Sequence, residues 1–187
     1  MKFVIKSVTS DQWDDLEKLF GSKGACGGCW CMWWRLSHKE FQQEKGEGNR
    51  IAMRRLVDNG IEPGLIAYLG DEPVGWVAVA PREEYFRLDR SRILARVDEQ
   101  QVWSVVCFFI AKHFRRQGVS GQLLSAACDF VKTKGAKLIE GYPIPAKQGA
   151  QPDPFIYTGL ESIFKGQGFK CVVRRGKAGR GVWRKEL

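Results

Sequence analysis

Val102-Trp103-Ser104-Val105-Val106-Cys107-Phe108-Phe109-Ile110, followed shortly by Arg115-Arg116-Gln117-Gly118-Val119-Ser120-Gly121, is the stretch whose reading decides the fold. The first run carries no charge and is dense in β-branched and aromatic side chains, which predicts a buried central strand. Beyond the turn, Val119, Leu123, Ala127, Phe130 and Val131 share one helical face, with Gln122, Ser125, Asp129 and Lys132 mostly on the other. Strand, glycine-bearing turn and helix together make an anion site. The first N–H groups of a helix lack internal acceptors, and the helix dipole adds partial positive charge there. Gly118 and Gly121 have no side chain to hold a ligand away, and Arg115 and Arg116 offer forked cationic donors suited to phosphate oxygens.

The rest of the chain sets bounds on that reading. Its 187 residues predict a single domain over 1–187, and 44% hydrophobic with 27% charged residues is an ordinary globular composition. No apolar run is long enough to span a bilayer, and Met1-Lys2-Phe3-Val4-Ile5-Lys6 is charged too soon for a signal peptide. The default expectation is therefore a cytoplasmic location with no membrane partner. A formal charge of +9 suits an anionic partner, but solubility explains much of it, because the basic residues are spread out. They concentrate modestly at Arg174, Arg175, Lys177, Arg180, Arg184 and Lys185. Arginines and aromatics are not interleaved along one surface strand, so nucleic acid is not the expected partner. Self-association into a homodimer is left open.

Of the six cysteines, Cys107, Cys128 and Cys171 read as small buried hydrophobes, while Cys26, Cys29 and Cys31 cluster. Cys26-Gly27-Gly28-Cys29 is half a zinc site without a second half nearby, so no metal is expected. Without a secretion signal a disulfide framework is not expected either.

In chain order, Phe3 to Val8 predicts a strand, and Ser10 caps a helix with Trp13, Leu16, Leu19 and Phe20 on one face, stopped by Gly21. Ser37-His38-Lys39-Glu40 fits a capping box, and a further helix runs from Asn49 to Asp58. Gly64 to Leu69 and Pro73 to Ala80 predict a hairpin about Gly70-Asp71-Glu72. Residues 82–100 are charged and weakly patterned, and Ile93 to Val97 reads equally as helix or strand. After the central helix come a strand from Ala136 to Tyr142 and a loop from Pro143 to Pro154. A second capping box, Thr158-Gly159-Leu160-Glu161, precedes Leu160, Ile163 and Phe164, and two strands follow at Phe169 to Arg174 and Gly181 to Arg184.

The turn and its setting resemble the GNAT superfamily of N-acetyltransferases, whose cofactor motif is Gln/Arg-x-x-Gly-x-Gly/Ala after an apolar strand. Here it is Arg115-x-x-Gly118-x-Ser120, with Ser120 standing where the family has Gly or Ala. Phe164-Lys165-Gly166-Gln167-Gly168-Phe169 resembles the family's short helix ending in Gly-Phe, and the Cys-Trp-Cys-Met-Trp-Trp-Arg segment resembles one in a bacterial branch. The likeness covers nearly the whole chain. It implies an α/β (α+β) fold: a mixed, twisted central sheet of six to seven strands with helices on both faces. It further implies direct acetyl transfer from acetyl-CoA to a primary amine in a ternary complex. The pyrophosphate would lie on the N–H groups from Arg116 through Gln117, Gly118, Val119 and Ser120 to Gly121. The pantetheine arm would run along Phe108, Phe109 and Ile110 as an added strand.

Family members often place a tyrosine acid four residues before the Gly-Phe, where this chain has Phe164. Tyr157 and Tyr142 are the nearest substitutes, each also readable as packing. Some members use a glutamate base on the central strand. Here the matching position is about Ser104, which can hold a water, while Glu140 reads as a base or as a salt-bridged carboxylate. His38 and His113 read as surface residues. Trp30, Trp33, Trp34 and Arg35 are read either as a wall of the acceptor pocket or as core filling. The competing function is a non-catalytic module that binds acyl-CoA or nucleic acid.

Overall fold

The structure is a computed structural model that describes residues 2–145, 156–176 and 179–187. Seven strands form one sheet in the order β1 (Val4–Ser7), β2 (Gly64–Leu69), β3 (Glu72–Pro81), β4 (Trp103–Ile110), β5 (Leu138–Gly141), β7 (Arg180–Glu186) and β6 (Lys170–Arg175). Within this sheet β4 and β5 pair in parallel, and the other neighbours pair antiparallel. The apolar run 102–110 thus takes the middle of the sheet, as its lack of charge requires.

Helices cover both faces. On one side α1 (Trp13–Phe20), α2 (His38–Gln43), α3 (Glu47–Asp58) and α4 (Phe86–Asp89) bury Leu16, Phe41, Met53 and Leu88 in one core. On the other, α5 (Val119–Thr133) and α6 (Glu161–Gly166) bury Leu123, Ala127 and Phe164 in a second. β3 serves both cores by alternation: Val77 and Val79 face α5, while Trp76, Ala78 and Ala80 face α1. Gly75 lets the first turn of α5 lie close, since a Cβ there would stand 2.9 Å from Val119 Cγ1 and 3.1 Å from Leu123 Cδ1.

Several expectations need correction. Thr9, not Ser10, caps the N-terminal turn that leads into α1, because Thr9 and Gln12 exchange capping-box hydrogen bonds. The predicted box at Thr158 does not form. Gly159, at φ +88°, turns the chain, Leu160 is extended against Ile144, and the Thr158 hydroxyl accepts from Arg180 Nη2 at 2.9 Å. Ile93 to Val97 is neither helix nor strand. Arginine forks take the carbonyls that either would need: Arg82 Nη2 donates to Leu94 O at 2.8 Å, and Arg175 donates to Ala95 O and Arg96 O. Of the predicted loop Pro143 to Pro154, residues 146–154 lie outside the described residues, as does Lys177 of the basic group.

The cysteine–tryptophan segment is irregular. Ala25, Trp30 and Cys31 all have positive φ, and the turn is held by Gly46 N–H and Asn49 Nδ2, which both donate to Gly28 O at 3.0 Å. Trp30 is buried, stacked on Trp13 at 6.1 Å between centroids and edge-on to Phe20 at 5.4 Å. Trp34 is buried in the same core.

Candidate active site

β4 and β5 stay paired for only three steps, Trp103 with Ile139, Ser104 with Glu140 and Val105 with Gly141, and then part. At the parting the ring of Phe164 lies against Gly141, where a Cβ would come within 2.2 Å of it, and edge-on to Phe108 at 6.3 Å. Phe164 is fully buried, so the position where the family often carries an acid is here a core ring. The segment after Ile156 crosses the opening: Phe108 N–H donates to Tyr157 O at 2.6 Å, and Ile144 N–H donates to Gly159 O at 2.9 Å. A wedge therefore opens between β4 and the end of β5, with Tyr157 at its mouth.

The turn before α5 heads the same strand. Arg116 has φ +60° and Gly118 has φ +80°, and the two left-handed residues curl the chain so that Gly118 O accepts from Gly121 N–H (3.1 Å) and Gln122 N–H (3.2 Å). Among the described residues, no acceptor meets the N–H groups of Arg116, Gln117, Gly118, Val119 or Ser120. Nothing lies within 4 Å of a Cβ built on Gly118, and only Gln167 Nε2, at 3.8 Å, comes near one built on Gly121. The result is an exposed concavity of donors at the head of a helix with Lys132 in its last turn, a geometry that attracts anions. Arg116 is exposed beside it, whereas Arg115 is partly spent: its Nε donates to Ile110 O at 3.0 Å.

That bond and the Phe108–Tyr157 bond lie on the edge expected to receive the added strand. Phe108 N–H and Ile110 O both already have partners, so an arm laid along this edge must compete with them. Phe109 turns its ring to Phe20 at 5.7 Å, on the α1 side.

Glu140, Tyr142 and Ser104, named separately as candidates from sequence, come together, but inside the protein. Glu140 is 1% exposed and takes Arg82 Nη1 at 2.8 Å and the Tyr142 hydroxyl on one oxygen, and Arg184 Nε at 2.9 Å on the other. The Tyr142 hydroxyl also accepts from Arg82 Nη1 at 2.6 Å and sits 2.8 Å from Ser104 Oγ. Arg184 Nη1 reaches on to Asp98 at 2.6 Å, and Arg82 Nε lies 3.5 Å from Asp89. Burial, reinforced by the Glu140 charge, holds the Tyr142 phenol well above the ordinary tyrosine value. With both carboxylate oxygens engaged and almost no exposure, this cluster ties β4, β5 and β7 to the turn that follows β3.

Tyr157 is different. It is half-buried, its phenol pushed up to about 12 by burial against the opposing charges of Arg180 and Arg87. Arg180 is anchored by Thr158 Oγ1 and by Tyr142 O at 3.2 Å. Arg87 lies flat on Trp33, its carbon 3.7 Å from the ring centroid, and its Nε donates to Leu36 O at 2.9 Å. Cys107 and Cys29 are also close enough to act on the phenol, and Cys31 packs behind them with its sulfur 3.4 Å from that of Cys107. Of the aromatic segment, Trp33 is the ring that Arg87 covers. Arg35 pairs with Glu84 and covers the ring of Tyr85 at 4.9 Å. Arg87 was not singled out from sequence, Thr158 entered only as a helix cap, Cys107 only as a small buried hydrophobe, and Arg180 only as one of a basic group. Their common signal is tertiary. Two surface hollows of about 260 and 340 Å³, beside Thr9 and Asp58 and beside Trp30 and Arg50, contain none of these residues. Among the described residues no group of acidic, cysteine or histidine side chains is arranged to hold a metal, and no helix is long and apolar enough to cross a membrane.

Comparison with known proteins matches residues 30–150 to the model of the acetyltransferase (GNAT) family. No curated protein matches the chain in sequence. Solved structures match its fold along its whole length. The PaiA N-acetyltransferase of Thermoplasma acidophilum, in complex with coenzyme A, is 11% identical with a TM-score of 0.55 and coverage of 100% of both chains. A GNAT-family acetyltransferase of Listeria monocytogenes is 11% identical at TM-score 0.59, covering 99% of this chain and 95% of that one. Another from Streptococcus agalactiae is 13% identical at TM-score 0.58, again covering 99% and 95%.

Proposed function

Because the chain belongs to the acetyltransferase (GNAT) family, we propose that it is a single acetyltransferase domain over 1–187 that moves an acetyl group from acetyl-CoA to a primary amine by direct transfer. The observation that carries this reading is the row of unpartnered N–H groups from Arg116 to Ser120 at the head of α5, beside the wedge where β4 leaves β5. The pyrophosphate lies on that row. The pantetheine arm follows β4, displacing Tyr157 O from Phe108 N–H, and brings the thioester to the mouth of the wedge.

Holding thioester and amine together supplies most of the acceleration, up to roughly 7–11 kcal/mol when alignment is good. What remains is proton traffic. The amine must lose a proton to attack, and the departing thiolate gains one. We assign the second task to Tyr157, which stays a phenol far above neutral pH and faces the wedge. Glu140, Tyr142 and Ser104 are given a positioning role, since a carboxylate already holding two arginines and a phenol is a poor base. Trp33 supports the acceptor side through Arg87, while Trp30 and Trp34 act as core.

A thiol-release assay with acetyl-CoA and a panel of amines tests the reading, alongside calorimetric titration of coenzyme A. Release that depends on an amine supports it. Tight coenzyme A binding with no release for any amine instead favours a ligand sensor, and absence of coenzyme A binding sinks both.

A further inference from the structure

Cys31 and Cys107 lie 76 positions apart in sequence, yet their sulfurs are 3.4 Å apart, with the Cys31 thiol donating to Cys107. Cys107 sits within β4 and is half-buried. Cys31 is 4% exposed and belongs to the irregular cysteine–tryptophan segment. The indole N–H of the buried Trp76 donates to the Cys31 sulfur at 3.1 Å. All six cysteines are free thiols.

A cysteine that serves only as a small hydrophobe needs neither a second sulfur nor a hydrogen-bond donor beside it. Here both are supplied. Disulfide sulfurs stand about 2.05 Å apart, so this pair has to close by only about 1.4 Å. Cys107 is held in place by its pairing with Ala78 of β3, which leaves the movement to Cys31. Cys31 has φ +55°, and Ala25 and Trp30 in the same segment also hold left-handed values that side chains seldom adopt. Such a backbone is kept in place by its surroundings and gains from any rearrangement that relaxes it. The Trp76 N–H faces the sulfur on which negative charge gathers as it attacks, and a donor to the charged form favours that form.

We propose that Cys31 and Cys107 are a redox-modification site, joined by hydrogen peroxide into a disulfide that fastens the cysteine–tryptophan segment to the central strand. The half-buried Cys107 sulfur attacks one peroxide oxygen. The O–O bond breaks, water leaves with the thiol proton, and Cys107 becomes a sulfenic acid. The Cys31 sulfur then attacks the Cys107 sulfur. The S–S bond forms, the S–O bond breaks, and the proton that Cys31 already directs at its partner leaves with the hydroxyl as a second water. Two thiols give up two electrons and two protons, and one peroxide takes them. The new bond closes a long loop and so narrows the unfolded ensemble. Neither sulfur takes part in the acetyl transfer proposed above, and the disulfide does not depend on it.

The test uses the full chain, reduced, freed of reductant and treated with hydrogen peroxide in modest excess. Peptide mass mapping without reduction should find the peptides of Cys31 and Cys107 joined within single chains and lighter by two hydrogens. Dithiothreitol should restore the thiols. The joined protein should melt about 5 °C or more above the reduced one, as expected for so long a closed loop. Cys107→Ala should abolish both the joined peptide and the rise in Tm, whereas Cys26→Ser should keep both. Mapping of the parent needs no variant, so it decides the question even if Cys107→Ala fails to fold. The proposal is overturned if Cys31 and Cys107 stay unjoined while Cys26 is oxidised. It is equally overturned if the main link joins Cys29 to Cys26 or Cys31, if the link runs between chains, or if the joined protein melts with the reduced one.

Discussion

Tyr157 keeps its proton because burial resists the phenolate more than Arg180 and Arg87 favour it, which sets its value at about 12. An acid of that kind is available throughout the neutral range. Tyr157→Phe should lower kcat roughly 10²-fold or more, with little change in KM for acetyl-CoA. In the parent, the rate should show no alkaline fall attributable to this residue until pH approaches 12. A pH–rate profile of both proteins checks it, and equal kcat values would transfer the role elsewhere. The cysteines make a second residue-scale expectation. Cys26 is exposed, whereas Cys31 is buried with its thiol held well above the usual cysteine value, chiefly by its contact with Cys107. Burial likewise lifts Cys128 to about 11. Iodoacetamide under native, mildly alkaline conditions should label Cys26 first and leave Cys31 and Cys128 nearly untouched, as peptide mass mapping would show. Residue identity was legible where chemistry is local: Phe164 cannot donate a proton in any fold. The neighbours of Tyr157 were not legible, because Arg87 and Arg180 reach it from distant parts of the chain.

At the scale of elements, the head of α5 is set by two glycines with different jobs. Gly118 supplies the left-handed turn, and Gly75 lets the helix settle on β3. Gly118→Val adds a β-branched side chain at φ +80° and a methyl-bearing obstacle beside the free N–H groups. Coenzyme A affinity should fall tenfold or more, with a stability cost of about 1–2 kcal/mol. Gly75→Ala instead overpacks against Val119 and should cost about 1–3 kcal/mol by differential scanning calorimetry, with a smaller loss of affinity as the helix head shifts. Equal affinity in the Gly118 variant would contradict the phosphate turn. The strand, turn and helix were readable because period and glycine placement are local properties. Gly75 was read only as part of a strand, since its need for smallness comes from a helix that begins at Val119.

Across the whole molecule, the Glu140 cluster joins three strands and the turn after β3, and is the place where a single change should be felt most widely. Glu140→Leu leaves Arg82 and Arg184 buried without their shared carboxylate, and should cost about 3–5 kcal/mol. In a domain of this size that is a fall in Tm on the order of 10 °C. Scanning calorimetry checks it, and an unchanged Tm would mean the cluster is dispensable. The tyrosines give a second global expectation. Tyr68, Tyr85, Tyr142 and Tyr157, all four in the chain, are held above the ordinary value of 10.0, with burial the first cause in each. The folded protein therefore binds these protons more tightly than the unfolded chain does. Their contribution to stability is complete below about pH 10 and is lost as pH climbs through the raised values. Phenolate absorbance should rise late and together with unfolding, and early titration of even one tyrosine in the folded protein would contradict this.

The sequence by itself determined the central strand, the glycine-bearing turn, the helix behind it and the hairpin before it. Each rests on side-chain period, charge-free runs or glycine at a turn, and those forces act within a few residues. Tertiary structure alone decided what the buried charges do. Glu140 finds Arg82 across 58 positions and Arg184 across 44, and no local pattern encodes such a pairing. It also decided that Ile93 to Val97 is neither helix nor strand, because Arg82 and Arg175 take its carbonyls. The same long-range geometry set Arg180 on Tyr142 O and Thr158 Oγ1, since a polar group is satisfied by whatever the fold brings near it, wherever that lies in the chain.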